Sequence, residues 1–180
     1  MRNILLGVSG GIGACKSVLF ASALKKAGFC IQVILSEAAQ KFVTPLSFQA
    51  LTHERVWQDF DQVESAMGHI ELARWADLLL IAPSTAHTFA KCAHGHGSDL
   101  LSCLYLATTS PVVMVPAMNP SMWQHPAVQR NHALLQQDGV HFWGPVEGSL
   151  ACGEQGLGRM MEIEDLLKKV QAFKGAYASA

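Results

Sequence analysis

Five short, mainly apolar segments recur along the chain and predict buried β-strands. They occupy residues 4–8, 31–35, 78–82, 112–115 and 140–142. Most of these segments are continuously apolar rather than alternating, which is typical of strands covered on both faces. The pattern therefore favours a parallel sheet enclosed by other elements.

Segments with helical spacing of their apolar residues lie between and after these strands. They are predicted at residues 14–27, 64–75, 85–92, 99–107, 126–138 and 162–173. Gly28 follows the first helix at the position of a C-cap glycine. Thr44 followed by Pro45 is typical of an N-cap with proline at the first helical position.

The alternation of strands and helices predicts an α/β fold: a three-layer, doubly wound parallel sheet of the flavodoxin-like or Rossmann-like kind. A single domain is expected over residues 1–174, with a frayed tail at residues 175–180. Ligands of such sheets bind beyond the carboxyl ends of the strands, so the segments that follow the strands should converge on one site. These segments are residues 9–13, 36–37, 83–88 and 116–123.

The composition indicates which classes of partner, among nucleic acids, other subunits and membranes, the chain is expected to bind. The 180 residues carry a formal net charge of −1 without a basic stripe, so nucleic acid is not an expected partner. Hydrophobic residues make up 50% of the chain and charged residues 15%, a balance that favours some surface buried between subunits. No apolar run approaches the roughly 18 residues that span a bilayer. The N-terminus shows no signal-peptide pattern, and no membrane association is expected.

The cysteines indicate a reducing compartment. There are five of them, an odd number, and none forms a CxxC pair, so neither a disulfide framework nor a zinc site is predicted. His94 and His96 lie two positions apart, without a Cys, Asp or Glu partner at ligand spacing. We therefore expect a cytoplasmic protein with no metal site.

The first strand leads into the first helix through the sequence GVSGGIGA. Glycines such as Gly10 and Gly11 let the backbone approach a phosphate, the helix N-terminus adds free N–H groups, and Ser9 adds a hydroxyl. The spacing is not GxGxxG, and Ser36 stands where a dinucleotide site has an acid, with Glu37 one position later. We favour a mononucleotide phosphate site over an NAD site; a plain strand-to-helix turn is the structural alternative.

A second polar turn, APSTAHTFAK, follows the third strand. Ser84, Thr85, His87 and Thr88 place several small donors at the start of a helix. Such a turn can wrap a phosphate or the edge of a flavin ring, and the alternative is ordinary helix capping by Ser and Thr.

Two side chains near the strands are candidates for chemistry. His69 lies near the start of the helix that leads into the third strand, and imidazole is the natural base near neutral pH, although most lone histidines are structural or exposed. Asn119 follows the fourth strand in VPAMNPSMW, bracketed by Pro116 and Pro120. An amide held there can donate to a substrate carboxylate; the alternative is a loop whose Met and Trp side chains belong to the core.

Cys152 lies in a glycine-rich loop over residues 144–158, within the sequence LACGEQGLGRM. The glycines make a core element improbable, and we expect a mobile lid. A cysteine on a lid is a candidate proton donor or nucleophile.

Five segments, in this order, resemble one family. SGGIGA, HIELARWAD, APSTAHTFAK, PAMNPSMW and ACGEQGLGRM are similar to segments of the homo-oligomeric flavin-containing cysteine decarboxylases. The resemblance extends over about residues 2–173, and the segments around Asn119 and Cys152 are its most specific parts. Two positions depart from the family pattern: His87 stands where an asparagine is usual, and Ser98 where an acid is frequent.

The resemblance implies FMN as cofactor, assembly as trimers or as dodecamers of trimers, and three functional residues. His69 would be the base, Asn119 would hold the substrate carboxylate, and Cys152 would donate a proton. The cofactor-binding residues implied are Ser9, Gly10, Gly11, Ser36, Thr85, Ala86, His87 and Thr88. The substrate-binding residues implied are Asn119, Met122, Gly153, Arg159 and Met160, with Gly156 and Gly158 in the same clamp.

The activity implied is FMN-dependent decarboxylation of 4′-phosphopantothenoylcysteine to 4′-phosphopantetheine in coenzyme A biosynthesis. Transient oxidation of the cysteine thiol to a thioaldehyde would provide the electron sink for loss of CO₂. Bacterial relatives often continue into a phosphopantothenoylcysteine synthetase domain, which makes that enzyme a candidate partner. The alternatives are a peptidyl-cysteine decarboxylase, a flavin prenyltransferase and a non-catalytic flavin-binding regulatory protein. An NAD-dependent oxidoreductase is disfavoured by Ser36.

Overall fold

Six parallel strands form one sheet in the computed structural model, which describes residues 2–60, 68–151 and 153–173. The strands are β1 (Asn3–Val8), β2 (Cys30–Leu35), β3 (Val56–Trp57), β4 (Leu78–Ser84), β5 (Val112–Pro116) and β6 (His141–Phe142). Their spatial order is β3-β2-β1-β4-β5-β6. The chain therefore starts in the middle of the sheet and winds outward in both directions, which confirms the predicted doubly wound α/β fold.

Helices cover the sheet, and a separate hairpin follows it. The helices are α1 (Ala14–Lys26), α2 (Pro45–Thr52), α3 (Gly68–Trp75), α4 (Ala86–Ala93), α5 (Leu100–Ala107), α6 (Pro120–Gln124), α7 (Pro126–Gln137) and α8 (Ile163–Phe173). The antiparallel hairpin consists of β7 (Val146–Ser149) and β8 (Gln155–Arg159). Thr44 is the N-cap of α2 with Pro45 in its first turn, and Gly28 follows α1 with a φ of +86°, both as predicted.

The sheet carries an apolar core on each face, because consecutive residues of a strand point to opposite sides. On β1, Ile4 and Leu6 belong to the same core as Phe20 of α1, whereas Leu5 belongs to the other core together with Phe89 of α4. All five side chains are fully buried. Each contributes about 2 kcal/mol by removing apolar surface from water. The central strands are therefore held firmly, and the loops at their carboxyl ends have a rigid base.

The expectation of an irregular loop over residues 144–158 is wrong, since most of this segment forms the β7–β8 hairpin. That the segment is a mobile lid stays a prediction. A Cβ atom on Gly158 would lie 2.3 Å from the carbonyl oxygen of Met118, and one on Gly156 would lie 3.0 Å from Cγ of Pro120. The glycines are therefore required for close packing of β8 on the segment after β5. Glycine lowers strand propensity, which is why the sequence pattern concealed the hairpin.

Three predicted features fall wholly or partly outside the described residues. The predicted helix at residues 64–75 is described from Gly68 onward, and Cys152 and the tail at residues 175–180 lie outside. In the part of the chain that the structure covers, no helix combines the length and the apolar character needed to cross a membrane.

Candidate active site

The loops after four strands surround a cavity of about 570 Å³ at the carboxyl edge of the sheet. β1 and β4 are neighbours at the centre of the sheet, and the chain leaves them in opposite directions, which opens a crevice at this switch point. The wall includes Ser9 and Gly10 after β1, residues 36–38 after β2, residues 58–60 after β3, and Thr85, His87 and Thr88 after β4. Three of the four segments that the sequence predicts to converge therefore meet here.

Gly10 is the point at which the loops after β1 and β2 touch. A Cβ atom on Gly10 would lie 2.4 Å from Cβ of Ala38 and 2.7 Å from its carbonyl carbon. The hydroxyl of Ser9 is buried and donates to the carbonyl oxygen of Pro83 over 2.8 Å, so its proton is used within the protein. Within the described residues, the N–H groups of Gly10 and Gly11 have no protein acceptor. The backbone of this turn therefore supplies the donors that a ligand can use.

Gly10→Ala should destabilise the protein by about 1–3 kcal/mol, because Ala38 has to move to admit the methyl group. Gly11→Ala is the matched control: its Cβ would lie 3.6 Å from Cγ2 of Thr85, an ordinary contact. The control should change the free energy of unfolding by less than about 0.5 kcal/mol. Urea unfolding of both variants beside the wild type measures the difference, and equal midpoints for the two variants would contradict the close approach.

Helix α4 directs its N-terminus towards the cavity. Thr85 is its N-cap: the Thr85 hydroxyl accepts from the N–H of Thr88 over 3.4 Å, and the two hydroxyl oxygens are 3.2 Å apart. The N–H groups of Ala86 and His87 have no acceptor among the described residues. They are free donors at the positive end of the helix dipole, so helix capping and ligand binding are compatible in this turn. His87 and Thr88 line the cavity, whereas Ala86 does not.

Another part of the cavity wall comes from the end of α4 and the start of α5, which the sequence did not predict. Nζ of Lys91 lies 2.5 Å from Oδ2 of Asp99, and Oδ1 accepts from the N–H and the hydroxyl of Ser102 over 2.8 Å each. Burial alone would raise the pKa of Asp99, but these hydrogen bonds outweigh burial and lower the pKa below its usual value. Burial, with a smaller contribution from the Asp99 charge, raises the pKa of Cys92 to about 12. The wall therefore holds a charged carboxylate beside a neutral thiol. The sequence signal for this part of the site is the helix-capping pair Asp99 and Ser102 at the start of the apolar helix α5.

His69 lies next to the cavity rather than in its wall. It belongs to the first turn of α3, and its ring meets the ring of Phe60 edge to face, with centroids 6.1 Å apart at 87°. Phe60 lines the cavity, and His69 does not. Phe60 therefore connects His69 to the cavity.

Asn119 is held at both ends of its amide. It is the N-cap of α6: Oδ1 accepts from the N–H of Met122 over 2.8 Å, while Nδ2 donates to Oε2 of Glu154 over 2.9 Å. Pro120 begins α6, so the segment expected to be a loop is a short helix. The cap determines which end of the amide carries hydrogens. One of the two Nδ2 hydrogens remains available to a ligand.

The other predicted substrate-binding residues lie on or beside α6 and the hairpin. Met122 and Gly153 are exposed, Met160 is buried in the core, and Arg159 forms an ion pair with the carboxylate of Glu162. None of these four residues lines the cavity. They form a second group of residues beside it, and Cys152 lies outside the described residues.

Ala117 joins the two groups of residues. Its N–H donates to the carbonyl oxygen of Ser84 over 3.0 Å, and its Cβ would lie 3.4 Å from a Cβ on Gly13. The segment that carries Asn119 is therefore packed directly on the turns that form the cavity. Among residues 2–60, 68–151 and 153–173, no group of three or more His, Cys, Asp or Glu side chains is placed to hold a metal ion.

Comparison with known proteins identifies a matching family model and a similar protein that is longer than this chain. The family model described as Flavoprotein matches residues 1–175. The coenzyme A biosynthesis bifunctional protein CoaBC of Vibrio vulnificus is 45% identical over 174 residues, which is 96% of this chain and 43% of that protein. The chain thus spans less than half the length of the curated relative.

Two solved structures are similar over nearly the whole chain. One is a cysteine-to-serine mutant of a PPC decarboxylase complexed with pantothenoylaminoethenethiol; it is 30% identical, with a TM-score of 0.87, and the match covers 97% of this chain and 99% of that one. The other is the FMN-binding protein AtHal3, 31% identical with a TM-score of 0.85, and the match covers 98% of each chain.

Proposed function

Since the chain belongs to the Flavoprotein family, we propose that it binds FMN at the carboxyl edge of its sheet and decarboxylates 4′-phosphopantothenoylcysteine to 4′-phosphopantetheine. The cavity between the loops of β1 and β4, with free N–H groups from two helix N-termini, is the observation that carries the proposal. The names of the relatives support it, because they include a coenzyme A biosynthesis protein, an FMN-binding protein and a PPC decarboxylase.

The donor set of the cavity suits the phosphate of FMN. A phosphate needs several hydrogen-bond donors, and unpaired N–H groups come from Gly10 and Gly11 in the turn before α1 and from Ala86 and His87 in the first turn of α4. Of these four residues, Gly10 and His87 line the cavity. The Ser36 oxygen accepts from the N–H of Ala39 over 3.2 Å, which leaves its own proton to donate. The cavity of about 570 Å³ lies within the range of roughly 300–1,000 Å³ found for small-molecule sites.

The three catalytic residues divide the reaction between them. When bound, FMN supplies the hydride acceptor and donor that take the substrate thiol to the thioaldehyde level and back. His69 takes the proton that the thiol loses in the oxidation. The bond to the carboxylate would then break, with its electron pair moving into the C=S group as CO₂ leaves, and the resulting enethiolate would take back the proton held by His69 to become the enethiol. Cys152 donates the proton that accompanies the returning hydride.

Asn119 orients the carboxylate, and its neutral amide suits that task. The negative charge of the carboxylate disappears as CO₂ forms, so a cationic partner would stabilise the ground state more than the transition state. An amide fixes the direction of the carboxylate with a weaker hydrogen bond. The contacts of Asn119 to Met122 and Glu154 hold the donor in place before the substrate arrives.

We also propose that the protein is a cytoplasmic homo-oligomer, a trimer or a dodecamer of trimers. Ile12, Leu19 and Leu46 are 60%, 61% and 69% exposed, which favours a partner surface. The four described cysteines are free, as expected in a reducing compartment. Phosphopantothenoylcysteine synthetase is the proposed functional partner, because it makes the substrate and the Vibrio relative is bifunctional.

The purified protein should be yellow, with flavin absorption bands and about one FMN per chain released on denaturation. It should release CO₂ from phosphopantothenoylcysteine much faster than from a peptide ending in cysteine. A colourless protein that cannot be loaded with FMN would contradict the cofactor assignment. Faster turnover of the peptide would instead favour the peptidyl-cysteine decarboxylase alternative.

A further inference from the structure

The hairpin of β7 and β8 is attached along its second strand to the segment after β5. The carbonyl oxygen of Gly158 accepts from the N–H of Met118 over 3.0 Å, and Gly156 packs against Pro120. These contacts join β8 to the segment that carries Asn119. A different contact ties the same hairpin to the glycine turn after β1.

Glu162 makes this second connection. Its Oε1 lies 2.6 Å from Nη2 of Arg159, the last residue of β8, and its Oε2 lies 2.9 Å from Nζ of Lys16. Lys16 belongs to the first turn of α1, and its N–H donates to the carbonyl oxygen of Gly13 over 3.0 Å. One carboxylate therefore links the end of the hairpin to the helix whose N-terminus faces the cavity.

The side chain of Arg159 spans both strands of the hairpin. A Cβ on Gly148 of β7 would lie 3.0 Å from Nε and 3.1 Å from Cζ of Arg159, so the arginine occupies the space that a side chain there would fill. Its Nε is buried without a hydrogen-bond partner, and its Nη2 is bonded to Glu162. The ion pair with Glu162 fixes the guanidinium group of Arg159, and this group packs on Gly148, so the ion pair restrains β7 as well as β8.

The linking carboxylate is charged at neutral pH. The hydrogen bond from Lys16, with a smaller contribution from the charge of Arg159, lowers the pKa of Glu162. Partly exposed ion pairs of this kind stabilise a protein by about 0.2–1 kcal/mol each. The bridge therefore adds little to the global free energy of unfolding, and its effect is on the position of the hairpin.

We propose that Glu162 is a positioning residue that fixes the hairpin against the first turn of α1 and holds Arg159 at the end of β8. Glu154, which accepts from Nδ2 of Asn119 over 2.9 Å, directly precedes β8, so the placement of the hairpin determines how Asn119 is held beside the cofactor site. The kinetic consequence rests on the proposed function, whereas the attachment of the hairpin does not.

Hydrogen–deuterium exchange of the FMN-loaded protein tests the attachment. The variants are Glu162→Gln and, as a matched control, Asp165→Asn, which removes an exposed pair with Lys168 within α8. Glu162→Gln should make the amides of residues 146–149 and 155–159 exchange roughly two- to fivefold faster, while the control leaves them unchanged. Unchanged exchange in Glu162→Gln, or faster exchange spread over the whole chain, would overturn the proposal.

Steady-state kinetics give a second measurement. Glu162→Gln should raise KM for phosphopantothenoylcysteine about two- to fivefold with FMN content unchanged, and Lys16→Arg should keep the wild-type KM because it retains the charge. A wild-type KM in Glu162→Gln would overturn the positioning role. If the wild-type protein does not turn the substrate over, the proposed function fails, and the exchange measurement still decides the attachment.

Discussion

Cys152→Ser should leave CO₂ release in place, limited to one CO₂ per flavin unless dissolved oxygen reoxidises the reduced flavin, and halt the reaction at the enethiol. A hydroxyl is a much weaker acid than a thiol, so the proton that accompanies the returning hydride is no longer supplied. General-acid catalysis contributes about 10²–10⁴-fold to rate, and formation of 4′-phosphopantetheine should fall by about that factor. Mass spectrometry of the products, together with measured CO₂, gives both quantities in one experiment.

The matched control is Cys15→Ser, which makes the same change at an exposed cysteine of α1. This control should release CO₂ and form 4′-phosphopantetheine at wild-type rates. If Cys152→Ser loses CO₂ release together with product formation, Cys152 does not act in the reductive half of the reaction alone. The division of roles between His69 and Cys152 would then be wrong.

Asn119→Asp should retain FMN and lose turnover by about 100-fold or more. The substitution keeps the shape of the side chain and the oxygen that caps α6 at Met122, but it replaces the Nδ2 donor with a negative oxygen. That oxygen repels the substrate carboxylate, and loss of a single well-placed donor costs about 10²–10³ in rate. Flavin absorbance and initial rates of CO₂ release measure the two effects separately.

The same substitution also places two carboxylates together, because Nδ2 of Asn119 lies 2.9 Å from Oε2 of Glu154. The double variant Asn119→Asp with Glu154→Gln removes this second repulsion and restores a donor next to position 119. Turnover should remain low in the double variant, since the substrate carboxylate is still repelled. Recovery to near wild-type turnover would show that Asn119 only holds the hairpin and does not contact the substrate.

The doubly wound fold could be predicted from the sequence because its central strands have no solvent-facing side. Ile4, Leu5 and Leu6 are adjacent in the chain and all fully buried, which gives the continuous apolar segments on which the prediction depended. The glycine turn after β1 could equally be predicted from the sequence, and the glycine at position 10 leaves room for Ala38. The edge strand β3 was not predicted, because two residues are too few to form a pattern.

Contacts between side chains that are brought together only by tertiary packing could not be predicted from the sequence. Lys91 and Asp99 pair across the junction of α4 and α5, and Asn119 meets Glu154 although 35 positions separate them. The hairpin was predicted as an irregular loop because glycine occurs both in loops and at positions of close approach, and only the surrounding residues distinguish the two. At Gly158 the reason is close approach, because the carbonyl of Met118 leaves no room for a side chain.

In the proposed decarboxylation, FMN is oxidised again at the end of each turnover. The most direct measurement uses phosphopantothenoylcysteine labelled in its carboxylate, incubated without oxygen and without an added electron donor. We expect labelled CO₂ and 4′-phosphopantetheine in equal amounts, with the flavin spectrum returned to its oxidised form. Conversion that requires an added reductant, or that proceeds at the same rate in flavin-free protein, would contradict a decarboxylation that regenerates oxidised FMN.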